Sequence, residues 1–328
     1  MRFLIVLVLV VLTATPAAAT AAPGVITGKS AELHPEGIAW DPLRHTFLLT
    51  SLRHGTVEIV RNGTTKTLIS DPRMVSTFGV HVVRDRVYVA YGDMGLGRRS
   101  TPDTTYKSSG LGVFDLATGR PLHVVDLAIG AGRHSANDVA VDRAGNAYVT
   151  DPASDALYRV DRDGRATVLA RDPRFGGTIG LNGIVWHPRG FLLAVRYDTG
   201  TLFKVTRDGR ISEVALDRPL VGGDGMDLRP DGTLAVVTNG LAAPGEAAVS
   251  VLRSADDWRT ARTAHRTAPW ADDEPTTIAR SPRGSYVVDG DLGTLVFGAG
   301  LSDAYTLREF RESGVRHSAE AAAFGAIE

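Results

Sequence analysis

Asn182-Gly183-Ile184-Val185-Trp186-His187-Pro188 places a short polar residue and a glycine before an alternating apolar strand that ends in a Pro turn. The same grammar returns in Glu36-Gly37-Ile38-Ala39-Trp40-Asp41-Pro42 and in Asp224-Gly225-Met226-Asp227-Leu228-Arg229-Pro230. Asn137-Asp138-Val139-Ala140-Val141-Asp142, Phe78-Gly79-Val80-His81-Val82-Val83 and Thr276-Thr277-Ile278-Ala279-Arg280-Ser281-Pro282 are further copies. The anchors at 36, 78, 137, 182, 224 and 276 lie 42, 59, 45, 42 and 52 residues apart. A four-stranded propeller blade takes about 40–45 residues, and the two longer intervals leave room for surface insertions.

Inside each unit the strands are short and joined by hairpin turns. The third anchor leads through the turn Asp142-Arg143-Ala144-Gly145 to the strand Asn146–Thr150, and the strand Leu157–Val160 ends in Asp161-Arg162-Asp163-Gly164. The fourth unit repeats this with Phe191–Val195, Leu202–Val205 and the turn Arg207-Asp208-Gly209. Such turns between period-two strands are hairpin signals. Gly92–Gly110 reads as one loop insertion, and Gly240–Gly245 with Ser254–Ala271 as a second. Helical periodicity is almost absent. A fixed period favours radial repetition over a sandwich. The expected fold is an all-β, six-bladed β-propeller of four-stranded antiparallel blades over residues 23–311. Gly24–Leu33 is expected to add an outer strand to the last blade and close the ring, and residues 312–328 read as a tail.

The chain opens with Arg2, an apolar run from Phe3 to Leu12 and an alanine-rich exit, which predicts a secretory signal peptide over residues 1–22. The run is short for a membrane span. Export to the periplasm or the exterior is expected, with no membrane attachment after cleavage. The absence of Cys excludes disulfides, thiolate metal sites and thiol nucleophiles. With 43% hydrophobic residues the mature chain can bury a core of its own. A net charge of -1 with no basic block argues against a nucleic-acid partner.

The first residue of each copy holds one place in its repeat, and there the chain reads Glu36, Phe78, Asn137, Asn182, Asp224 and Thr276. In a propeller the innermost strands line a central channel, so these residues converge from different blades. Glu36, Asn137, Asn182 and Asp224 then form a hard, oxygen-only donor set. Ca²⁺ takes 6–8 such oxygens and is the expected ion. Mg²⁺ and Mn²⁺ suit the same donors; Zn²⁺ is a further alternative, although it ordinarily recruits His or Cys.

Pro35-Glu36-Gly37, Asn137-Asp138, Asn182-Gly183 and Asp224-Gly225-Met226 resemble, in order, the metal-site motifs of the senescence-marker-protein/gluconolactonase family. That family includes luciferin-regenerating enzymes and is related to paraoxonases. The resemblance runs through nearly the whole mature chain. It implies a propeller hydrolase of lactones or related esters, with one divalent cation at the channel mouth. Carried over, Glu36, Asn182 and Asp224 are direct ligands, and Asn137 is a ligand or a neighbour of the substrate. Asp224 is then the general base or nucleophile, with Glu36 beside it. Sugar-lactone members commonly carry Arg two residues before the position of Asn137, where this chain has Ser135. That departure puts an aldonolactone substrate in doubt, while Phe78 offers an apolar wall suited to a less polar one.

Quieter roles exist for each residue. Asn and Asp before Gly are ordinary turn formers. Among the histidines, His81 and His134 are the candidates for contact with substrate, while His34 and His187 read as packing residues. Trp40 and Trp186 read as blade core, and Arg196 as exposed or ion-paired. A different class of function also fits this sequence: a non-catalytic binding propeller with a structural cation. A small-molecule partner and a monomeric state are expected in the first reading.

Overall fold

The computed structural model describes residues 24–267, 270 and 274–312. It is built from antiparallel meanders of four strands. The first runs Ile38–Asp41, Thr46–Thr50, Thr56–Arg61 and Thr64–Ser70, each strand paired with the next. Two further meanders start at Ser76–Val83 and Val139–Val141. Those starting at Leu181–His187 and Gly223–Leu228 merge into one eight-stranded sheet. Their outermost strands meet in parallel, with Ala215 opposite Thr260 and Leu216 opposite Ala261. The last sheet takes three strands from Pro275–Ser281 onward and its fourth from the other end of the chain, where Val25–Lys29 pairs with Ala304–Phe310. This β-propeller arrangement ties the two ends of the described chain together, as Gly24–Leu33 predicts.

The core lies between sheets rather than within one. Tyr88 and Leu111 of the second meander pack with Val149 and Tyr158 of the third. Leu49 and Phe47 of the first pack with Val288 and Leu307 of the last sheet. Each consecutive pair shares such a cluster, and the last shares one with the first. Central strands are therefore buried on both faces, as in Leu192–Val195, where every residue is fully buried. Burying such side chains is worth about 1.5–3 kcal/mol each, and no disulfide is needed to hold the fold.

The anchors owe their orientation to a break in the ladder. Pairing skips between Leu181 and Ile184, between Gly223 and Met226, between Thr77 and Val80, and between Pro275 and Ile278. The skipped residues are the anchors and their followers. Glu36 and Asn137 stand two residues before their strands begin. A bulge frees a side chain from strict alternation and re-aims it. The glycine after the anchor permits a close approach of backbones. A Cβ on Gly183 would stand 2.0 Å from the carbonyl oxygen of Asp224, and one on Gly37 would stand 2.3 Å from that of Phe78.

The sequence reading needs two corrections. Thr260–Arg266, placed in the second insertion, is the outer strand of its meander. The charged turn before it masks its alternation. A short helix, Leu292–Val296, follows Asp289 where no helical period is legible, because five residues are too few to establish one. The predicted leader and all of the predicted tail except Glu312 lie outside the described residues. Among the described residues no helix is long and apolar enough to cross a membrane.

Gly183→Ala should lower unfolding free energy by about 1–3 kcal/mol, since overpacking here strikes backbone rather than a yielding side chain. Chemical denaturation of the variant beside the parent protein checks this; an unchanged midpoint would show that the approach carries no strain.

Candidate metal centre

The backbone of the donor positions is held while their side chains are left free. The Glu36 carbonyl accepts from Thr276 Oγ1 at 2.6 Å, and the Asn137 carbonyl from the Gly79 amide at 2.7 Å. Thr150 Oγ1 donates to the Asn182 carbonyl. Each of these bonds crosses from one meander to a neighbour. Thr276, the last of the six anchors, thus serves the site as a strut.

All four predicted donors are buried, with 5% of Glu36, 5% of Asn137, 6% of Asn182 and 4% of Asp224 exposed. Each leaves one oxygen without a hydrogen-bond partner: Glu36 Oε2 and the Oδ1 atoms of Asn137, Asn182 and Asp224. An orphaned buried acceptor costs about 1–3 kcal/mol. Four of them stand at one phase of four repeats, a donor set of the kind a hard cation takes.

The electrostatics agree. Burial raises the Glu36 carboxyl well above the usual range, and the charges of Asp224 and Asp138 push it further, against the Asn137 amide beside it. Asp224 is pushed up to about 8, mainly by burial and also by Asp138, although Asn239 opposes the shift. Asp138 rises to about 6 through burial, offset by backbone N–H bonds from Val139 and Ile184. Crowded carboxylates of this kind are relieved by a divalent ion. Among the described residues no group of three or more His, Cys, Asp or Glu could hold a metal. The donor set instead mixes two carboxylates with two amides, which fits a hard, oxygen-seeking ion such as Ca²⁺.

Sequence reasoning missed the support of Asp224. Asn239 Nδ2 donates to Asp224 Oδ2 at 2.8 Å and to the Pro275 carbonyl at 2.8 Å. Tyr197 donates its hydroxyl to Asn239 Oδ1, and the hydroxyl oxygen in turn accepts from the Ala242 amide at 3.0 Å. The chain of bonds fixes the Asp224 rotamer and points its other oxygen away. Asn239 directly follows a second strand, Leu234–Thr238, rather than preceding a first, so the repeat of anchors carries no signal for it.

The substrate residues expected from sequence separate. Phe78 joins the site end of the channel, buried with Leu52, Leu292 and Leu295 and packed by Met94, Leu96 and Leu241. His134 does not face the donors. Its ring is buried among the Gly130 carbonyl, the Tyr158 hydroxyl at 3.2 Å and Asp151 at 3.6 Å. His81 lies further along the channel, in a chamber that none of the donors lines. Both are near the anchors in sequence, but neither the bulge nor the direction of the side chain respects that closeness. Trp40 and Trp186 pack on Phe47 and Tyr148 as core residues should, but they also line that chamber. Arg196 is ion-paired with Asp198. Ser135 is fully buried and its hydroxyl has no partner.

No family model matches the chain, and no curated protein does. Solved structures do. The major allergen Mala s 1 of Malassezia sympodialis superposes with a TM-score of 0.73 at 19% identity, over 90% of this chain and 99% of its own. The likeness is one of fold. A gluconolactonase from Xanthomonas campestris matches with a TM-score of 0.58 and 17% identity, over 88% of this chain and 90% of its own. Virginiamycin B lyase from Staphylococcus aureus gives 0.54 and 12%, over 88% of this chain and 100% of its own. With these neighbours the chain shares a β-propeller fold.

The raised carboxyls set a pH dependence. Groups raised above their unfolded values give stability that is present below the ordinary carboxylate range and lost as pH rises, for Asp224 through about 8. The cation-free protein should therefore melt lower at pH 8 than at pH 5, and added Ca²⁺ should raise the melting temperature more at pH 8. Scanning calorimetry after chelation, with and without Ca²⁺, reads both effects. An equal Ca²⁺ increment at the two pH values would contradict the assignment.

Proposed function

We propose that this chain is an exported, divalent-cation-dependent hydrolase of lactones or related esters, and we read its meanders as the six blades of one ring. The observation that carries the reading is the set of four unpartnered oxygens on Glu36, Asn137, Asn182 and Asp224. A gluconolactonase among the structural neighbours is in keeping with it. Glu36, Asn137, Asn182 and Asp224 would hold the cation, with Ca²⁺ the preferred ion and Mn²⁺, Mg²⁺ or Zn²⁺ as alternatives. Bound there, a divalent ion supplies Lewis acidity to a carbonyl oxygen and to water.

The rest belongs to the residues. Asn239 holds Asp224 through Oδ2 and so turns Oδ1 to the cation, and the lone pairs that remain on the carboxylate are able to take a proton from the attacking water. Glu36, the second carboxylate, would offset the charge of the cation beside it. Phe78, Leu52, Leu292 and Leu295 keep bulk water from this end and favour a lactone or ester with an apolar body. His81 and His134 have no direct part in this scheme.

The deep burial of all four donors favours a second reading, a binding propeller whose cation is structural. Hydrolysis of aliphatic, aromatic and sugar lactones, after chelation and after restoring each metal, separates the two. Metal-dependent turnover that falls by about 10²–10⁴-fold in Asp224→Asn is expected. A protein that gains stability from the cation and turns over nothing would be the binding propeller.

Asn239→Ala should reduce kcat more than it raises KM, because it frees the Asp224 rotamer without removing a donor oxygen. Steady-state kinetics of that variant beside Tyr197→Phe, expected to be the milder, tests the positioning role. A change in KM alone would exclude it.

A further inference from the structure

Beyond the donors, away from the apolar cap, the channel opens into a cavity of about 780 Å³. None of the four donor side chains lines it. Asp138 stands toward its inner end, one residue past the donor Asn137, and Pro42, Pro188 and Pro230 mark the opposite end of the inner strands. Between them the wall is mostly apolar, with Ile38, Val80, Ile184 and Ile278 contributed by separate meanders. The volume is of the size that holds a small organic ligand.

The charges are unevenly spread. Arg84, Arg229 and Arg280 line the cavity near its far end, and Asp138 is the acidic residue among its lining groups. Both carboxyl oxygens of Asp138 already accept backbone N–H groups. Arg229 is committed to Glu312. Among the described residues Arg280 makes only long bonds, to Asp227 at 3.3 Å and to the Leu228 carbonyl at 3.4 Å. Arg84 reaches only the Arg143 carbonyl among them, at 3.4 Å. Asp227 offsets part of the Arg280 charge. Two guanidinium forks therefore retain donors at the rim of an apolar chamber. The positive charge is felt inside: the His81 imidazole, accessible in the chamber yet walled in, is held below its usual pKa by burial and by Arg280.

We propose that this chamber is a second binding site, which takes a small carboxylate with an apolar body. The carboxylate sits between Arg84 and Arg280, whose planar forks match its two oxygens. The apolar body runs inward along the aliphatic wall and stops short of Asp138. A negative charge placed at the inner end would meet that aspartate, so the charged group faces outward. The site is independent of hydrolysis at the donor end, and neither idea stands or falls with the other.

The test is calorimetric titration of the whole protein with octanoate and with its neutral counterpart octanamide. Octanoate should bind with one-to-one stoichiometry, and octanamide about tenfold more weakly or less, the difference being the charge-assisted bonds. The double variant R84Q/R280Q should weaken octanoate by a similar factor and leave octanamide unchanged. Both replaced side chains are exposed at the rim, and a thermal melt verifies that the variant is folded. Asp224→Asn should bind octanoate as the parent does. Absence of octanoate binding, equal binding of the amide, or loss in Asp224→Asn with retention in R84Q/R280Q would each overturn the proposal.

Discussion

The close approach of successive inner strands at the step from anchor to glycine is the constraint on which this structure depends. At Gly37, Gly79, Gly183 and Gly225 the neighbouring meander comes within a distance that no side chain could share. Because the glycine must press against the neighbour, the residue before it is displaced from the ladder and turned toward the channel. Packing of the ring and the turning of the donors toward the channel are thus one event. In the sixth unit the follower is Thr277, and in the third it is Asp138. Its carboxylate reaches across to the Ile184 amide and replaces backbone contact with a hydrogen bond.

That exception matters for the electrostatics of the channel. Asp138 adds a third, half-buried carboxylate close to Glu36 and Asp224, and it raises both. Without a cation the protein keeps these groups at a cost, because burial and mutual repulsion both disfavour their charged forms. The arrangement persists because the inter-sheet cores around it are apolar and dense, and can carry a strained polar centre. The same centre divides the channel. One end is capped by Phe78 and the helix Leu292–Val296, and the other is an open chamber rimmed with arginine. A single ring therefore presents two chemically unlike environments, hard oxygen donors at one end and guanidinium with aliphatic wall at the other.

Much of this is legible from residues alone. The period of the anchors marks the meanders, and the oxygen chemistry of Glu36, Asn137, Asn182 and Asp224 marks them as candidate donors. What fails is anything that depends on direction. His81 and His134 lie within three residues of an anchor, yet one faces the chamber and the other is turned into a buried network with Tyr158 and Asp151. Asn239 escapes notice because its partnership with Asp224 joins two strands that pair only around a bulge. Thr260–Arg266 escapes because an outer strand has one solvated face and its neighbours are charged.

The sequence by itself determined the repeat, the all-β character and which residue types stand at each anchor, since alternation, turn chemistry and spacing are local properties. Only the tertiary structure decided that four oxygens would lack partners, that Asp224 would be gripped through one oxygen by Asn239, and that the channel would open away from the donors. Those outcomes depend on how residues far apart in the chain exclude water and satisfy, or fail to satisfy, one another's hydrogen bonds, and no local pattern records that.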